Sequence, residues 1–195
     1  MNSDPDAYPL TLLSEVEDPR WGEAFPGGEE ALLTLVDRAV RAAVVAGDPG
    51  GQEIPKGTPL EMSLVLADDA RVRALNRDYR NKDKATNVLS FASLDVEEPL
   101  PVPGETLPLG DVILALETVV GEAEGRGVPL SDHLFHLVVH GVLHLLGYDH
   151  EDDEEAREME SLETAILAAE GLEDPYEGTL PDGEGRENDM EHERQ

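Results

Sequence analysis

A chain of 195 residues without one cysteine can form neither disulfides nor thiolate metal sites, which leaves histidine and carboxylate as its available metal ligands. Its formal net charge of −30, from 14 basic and 44 acidic residues, argues as a total against a nucleic-acid partner, although the distribution of charge matters more than the sum. The length suits one domain, whose core must be mainly aliphatic because aromatic residues make up only 4%. The start, MNSDPDAYPLTLL, has neither the basic opening nor the apolar run of a secretory signal, and no stretch approaches the length of a membrane span; a soluble cytoplasmic protein is expected.

Residues 10–17, LTLLSEVE, read as a first strand that Pro19 and Trp21 end. Leu32, Leu35, Val36, Ala39, Val40 and Ala43 then recur with the helical period and predict an amphipathic helix over about 29–46. A loop rich in glycine and proline, Gly47 to Gly57, leads to PLEMSLVLAD, where Leu60, Met62, Leu64 and Leu66 alternate with Glu61, Ser63 and Val65 as a second strand. Asp68 or Asp69 can cap the next helix, which should turn Val72, Leu75 and Tyr79 inward and its arginines outward. NVLSFAS at 87–93 reads as a third strand, and residues 94–108, with four prolines and several acids, as a loop.

LGDVILALE at 109–117 is the fourth expected strand, running into a helix over about 117–126 that Gly127 and Pro129 end. Residues 131–146 are apolar on most sides, through Leu134, Leu137, Val138, Val139, Val142, Leu143 and Leu145, so that helix should be buried. The acidic run EDDEE after His150 opens a last helix, to about Glu170, since acids suit a helix N-terminus. Residues 173–195 hold nine acids and few large apolar side chains, a composition of disorder. The expected fold is therefore α+β: one domain at 8–170, with a mixed sheet of about four strands, about five helices and a buried metal-binding helix at its centre, followed by an acidic tail at 171–195.

The metal expectation rests on HGVLHLLGYDH at residues 140–150. Imidazoles four residues apart on a helix face the same way, so His140 and His144 can grip one ion. Gly147, just past the last turn, can adopt the left-handed conformation that ends a helix and fold His150 back toward that ion. A lone histidine on an apolar helix is more often a hydrogen-bonded core residue, but five of the six histidines fall between His133 and His150. Three protein ligands leave a tetrahedral ion one open position for water, which marks a catalytic site. The expected cofactor is one divalent ion, zinc foremost, although imidazole sites also accept nickel, copper or iron. His136 lies on the same column as a candidate fourth ligand or hydrogen-bond partner. The spacing follows the extended zincin protease pattern except at Gly141, where that pattern carries the general-base glutamate. Asp149 and Asp111 are weaker candidates for moving a proton.

The segment RVRALNRDYRNKDK, residues 71–84, sets Arg71, Arg73, Arg77, Arg80, Lys82 and Lys84 against Asp78 and Asp83, a local charge of +4 in an acidic chain. Such an island is either an RNA-facing surface or a solvated helix face.

LNRDYRNKDKATNVLSF at 75–91, LGDVIL at 109–114 and the histidine segment together resemble the YbeY family of bacterial rRNA maturation endoribonucleases, over about residues 8–170. The resemblance implies a metal-dependent hydrolase of single-stranded RNA, with rRNA precursors and ribosomal particles as partners and no membrane. It implies roles in maturing the 3′ end of small-subunit rRNA and in ribosome quality control. It carries the family's zinc ligands onto His140, His144 and His150 and its functional arginine onto Arg80. Ala92 stands where the family commonly has proline after NVLSF. On this reading the ion polarises a phosphoryl oxygen or activates the attacking water, while Arg80 stabilises charge gathering on phosphorus. The rival readings are a ribosome-assembly factor whose zinc only holds the fold, and a zincin-like metalloprotease.

Overall fold

The computed structural model describes residues 8–48, 54–93, 105–150 and 152–176. In chain order its elements are β1 (Leu10–Val16), α1 (Arg20–Ala24), α2 (Gly28–Ala46), β2 (Leu60–Ala67), α3 (Asp69–Arg80), β3 (Val88–Ala92), β4 (Leu107–Ala115), α4 (Leu116–Arg126), α5 (Leu130–Leu145) and α6 (Asp153–Ala169). The strands form one mixed sheet in the order β1-β2-β4-β3, with β1 and β4 parallel to β2 and β3 antiparallel to β4. Parts of the expected loops, 49–53 and 94–104, and most of the expected tail, 177–195, lie outside the described residues.

Strand alternation gives the sheet two unlike faces. Leu64, Leu66, Val112 and Leu114 join the main core with apolar side chains of α2 and α5. Ala67, Leu89, Ile113 and Ala115 point the other way and pack against Val72 of α3. The sheet therefore lies between α5 on one face and α3 on the other. α5 is the most buried helix, with everything from His133 to Leu145 buried except His140 and His144, which are partly exposed. Among the described residues no helix is long and apolar enough to cross a membrane.

Local chemistry explains the joints. Asp68 rather than Asp69 caps α3, its Oδ1 accepting from the Arg71 N–H at 2.7 Å. Asp69 serves α4 instead, accepting from the Thr118 N–H at 3.0 Å and the Thr118 hydroxyl at 2.8 Å. Asp152 caps α6 by accepting from the N–H groups of Glu154 and Glu155.

Three sequence expectations need correction. The five-residue α1 was not foreseen; it carries the fully buried Trp21, whose Nε1–H donates to the Ala67 carbonyl at 2.9 Å. β4 starts at Leu107, inside the expected loop, because pairing with β2 steps from Pro108 to Gly110 and the resulting irregularity accommodates a residue without an N–H. Tyr79 does not face inward but is 70% exposed. Asn76 takes the buried position on its turn, donating from Nδ2 to the Lys84 carbonyl at 2.8 Å, while Tyr79 meets Phe91 edge-on with ring centroids 5.3 Å apart.

Candidate metal centre

The left-handed turn expected at Gly147 is present, with φ of 89°. The Tyr148 N–H bonds back to the Leu143 carbonyl at 3.1 Å, closing the helix end, and the Tyr148 hydroxyl donates to the Gly47 carbonyl at 3.2 Å, tying the turn to α2. The chain then doubles back. One nitrogen each from His140, His144 and His150 lie within 4.8 Å of one another. The His150 ring sits 5.7 Å from that of His140 and 5.1 Å from that of His144, between centroids. His150 is exposed, so the group is open to solvent on that side.

Hydrogen bonding fixes which nitrogens face inward. The His144 Nδ1 lies 2.9 Å from the Tyr148 carbonyl, which can only accept, so Nδ1 carries the proton and Nε2 the lone pair. The His140 Nδ1 lies 2.7 Å from Oε1 of Glu163. Burial pushes the Glu163 carboxyl up, but hydrogen bonds from His136 and His140 outweigh it and hold the group below the usual carboxylate range. Glu163 is thus an ionised acceptor that keeps a proton on His140 Nδ1, so a neutral His140 turns its Nε2 lone pair toward His144.

These two Nε2 atoms face each other at 3.1 Å. With both rings neutral, a cation bound between these atoms relieves the repulsion of their lone pairs, whereas a proton there makes the contact a hydrogen bond. Nitrogens bound to one tetrahedral zinc at about 2.0–2.1 Å stand roughly 3.3 Å apart, close to the observed separation. Burial, together with His140 and His150 nearby, pushes the His144 pKa down to about 4, so its lone pair is free at neutral pH. The donor set therefore fits a divalent ion.

His136 is not brought into this group. Its Nε2–H donates to Oε2 of Glu163 at 2.9 Å, on the far side of the carboxylate from His140. The Tyr176 hydroxyl also donates to Oε2, from a residue allotted by sequence to the tail, and its ring packs edge-on to His136 with centroids 5.8 Å apart. Sequence reading missed Glu163. The available signal was its place on the buried stripe of α6, with Ala156, Met159, Ile166 and Leu167, where an acid needs a partner.

Asp149 accepts from the His150 N–H at 2.7 Å and lies 3.9 Å from the His144 Nδ1, bracing the turn. Asp111 falls on the opposite sheet face from the histidines: its neighbour Val112 is the residue that touches α5 at Gly141. Gly141 has no room for a side chain, since a Cβ there would lie 2.8 Å from Val112 Cγ1 and 3.2 Å from the Ser90 hydroxyl. A general-base glutamate at that position would drive into the sheet.

The basic island divides into two sets. Arg71, Arg73 and Arg77 are spoken for by Glu17 at 3.7 Å, Asp83 at 2.8 Å and Asp78 at 2.8 Å. Arg80, Lys82 and Lys84 are exposed and form no ion pair among the described residues. Arg80 is the last residue of α3, and among the described residues no hydrogen bond or ion pair joins it to the histidines.

Comparison with known proteins follows the same segments. The family model described as Endoribonuclease YbeY matches residues 35–171. An Endoribonuclease YbeY from Rhodospirillum rubrum is 59% identical over 182 residues, covering 93% of this chain and 89% of that protein. Its namesake from Paramagnetospirillum magneticum is 57% identical over 86% of this chain and 96% of its own length, and that from Azorhizobium caulinodans 51% identical over 83% and 92%. A match through the histidine helix, at such identity and over nearly all of each relative, shows that the chain belongs to the YbeY endoribonuclease family.

Proposed function

We propose that this protein is a metal-dependent endoribonuclease that cleaves single-stranded RNA in the cytoplasm, maturing the 3′ end of small-subunit rRNA precursors and acting on ribosomal particles in quality control. The observation that carries this reading is the pair of facing Nε2 atoms of His140 and His144, gathered with exposed His150 into one group of possible ligands, in a chain of this family.

His140, His144 and His150 would hold the ion, zinc by preference, because three neutral nitrogens suit it and leave its positive charge intact for an anionic phosphodiester. Once bound, a divalent ion supplies Lewis acidity toward a phosphoryl oxygen or toward the attacking oxygen. Among the described residues Arg80 has no carboxylate to neutralise it, and its planar fork suits two hydrogen bonds to phosphate. It is assigned the charge that accumulates on phosphorus. β3 is one of the two edge strands, with α5 on one side and α3 on the other, so a single strand crossing that edge can touch both sets of groups. Lys82 and Lys84 supply further backbone contacts, with Arg71, Arg73 and Arg77 contributing where RNA phosphates displace their acidic partners.

Cleavage of a single-stranded RNA by the zinc-loaded chain, before and after exhaustive chelation, tests the assignment. Activity should vanish on chelation and return with zinc. Full activity in metal-free protein would contradict it. Analysis of the new ends identifies the nucleophile, because a 2′,3′-cyclic phosphate requires the 2′-hydroxyl to have attacked.

A further inference from the structure

We infer that Glu163 is a positioning residue of the metal centre, setting the orientation and donor strength of His140 through a buried carboxylate on α6. The inference rests on the reading of His140, His144 and His150 as metal ligands.

Glu163 is 0% exposed, so it cannot reach a substrate. Its oxygens are both used: Oε1 accepts from the His140 Nδ1–H, and Oε2 accepts from the His136 Nε2–H and the Tyr176 hydroxyl. Three donors compensate one buried charge, which is the condition for keeping it there. A carboxylate on the Nδ1 side of an imidazole locks the tautomer, fixes the ring plane and raises the basicity of Nε2, the atom that meets the metal. His144 donates instead to a neutral carbonyl, that of Tyr148, and the half-exposed Asp149 carboxylate stands 3.9 Å from its Nδ1, beyond hydrogen-bond distance. The two helical ligands are thus unequal, and His140 is the stronger donor.

The supports of Glu163 come from separate parts of the chain. His136 lies one turn before His140 on α5. Tyr176 arrives from beyond α6, where the Asp174 carboxylate accepts from the Thr164 hydroxyl at 3.3 Å and from the Tyr176 N–H at 2.9 Å. The segment after α6 is therefore built into the wall behind the metal site.

Zinc affinity of the full chain, measured by competition with a chromophoric chelator, tests this. Glu163→Gln keeps the size of the side chain and removes its charge, and it should weaken zinc binding about 10–100-fold while the circular dichroism of the protein is unchanged. Glu163→Asp keeps the charge but shortens its reach; it should also lose affinity, and it takes over as the test variant if the glutamine variant does not fold. In a His140→Ala background the Glu163→Gln effect should disappear. Wild-type zinc affinity in a folded Glu163→Gln protein would overturn the inference, as would an equal loss with and without His140, which marks a general packing defect. Failure of the unmutated chain to bind zinc would instead overturn the ligand reading beneath it.

Discussion

Gly141 shows how one residue separates this centre from a protease. Its absent side chain lets α5 approach the sheet closely enough for the Ser90 hydroxyl to donate to the Gly141 carbonyl at 3.0 Å. Gly141→Ala should therefore cost roughly 1–3 kcal/mol through overpacking against Val112. Urea denaturation would reveal it, and an unchanged midpoint would mean that the helix yields freely. Arg80→Ala should lower the RNA cleavage rate about tenfold to a thousandfold, the scale for losing one electrostatic stabiliser, with metal content unchanged. A wild-type rate would remove Arg80 from the chemistry. The histidines were legible in sequence because helix periodicity and one glycine are local information. Glu163 was not, since its partner His140 lies 23 residues away and α6 carries many other acids.

At the scale of elements, the four strands and the five longer helices are legible from periodicity, β-propensity and the residues that start or end a helix. These local signals fail where tertiary contacts decide. α1 is a single turn held by the burial of Trp21, too short to show a period. Tyr79 obeys the helical spacing, yet near the end of α3 it reaches only Phe91 of the edge strand β3 and stays mostly exposed, and only the folded sheet defines that edge. Gly110 marks the irregular start of β4. Its φ of 126° is a conformation other residues avoid, and a Cβ would lie 2.0 Å from the Phe91 carbonyl oxygen. Gly110→Ala should therefore destabilise the protein by roughly 2 kcal/mol or more and loosen the β3–β4 pairing, visible as faster amide exchange in β3. Native exchange there would show that the strand can adjust. Most of α5 is anchored by apolar packing rather than by the histidines, so chelation should leave the helical circular dichroism nearly intact while lowering the melting temperature. Unfolding on chelation would favour a structural metal.

For the molecule as a whole, the difficulty is a net charge of −30 in a protein assigned an RNA substrate. Composition located the basic island but not its pairing. Arg71 meets Glu17, just past β1, a contact that sequence proximity does not foretell. Within the island, three cations form no ion pair among the described residues: Arg80, Lys82 and Lys84. If each meets one phosphate, the logarithm of RNA affinity should fall with the logarithm of salt concentration at a slope of about −2, taking about −0.7 per contact on a single strand. Fluorescence anisotropy across a salt series measures it, and a slope near zero would place RNA binding elsewhere.

Whether His140, His144 and His150 build the active site is decided by metal analysis combined with single-stranded RNA cleavage, performed on the wild-type chain and on His144→Ala. The wild type should carry one divalent ion per chain and cleave; the folded variant should lose both ion and activity. Undiminished cleavage by a metal-free His144→Ala protein would contradict the assignment of these histidines to the active site.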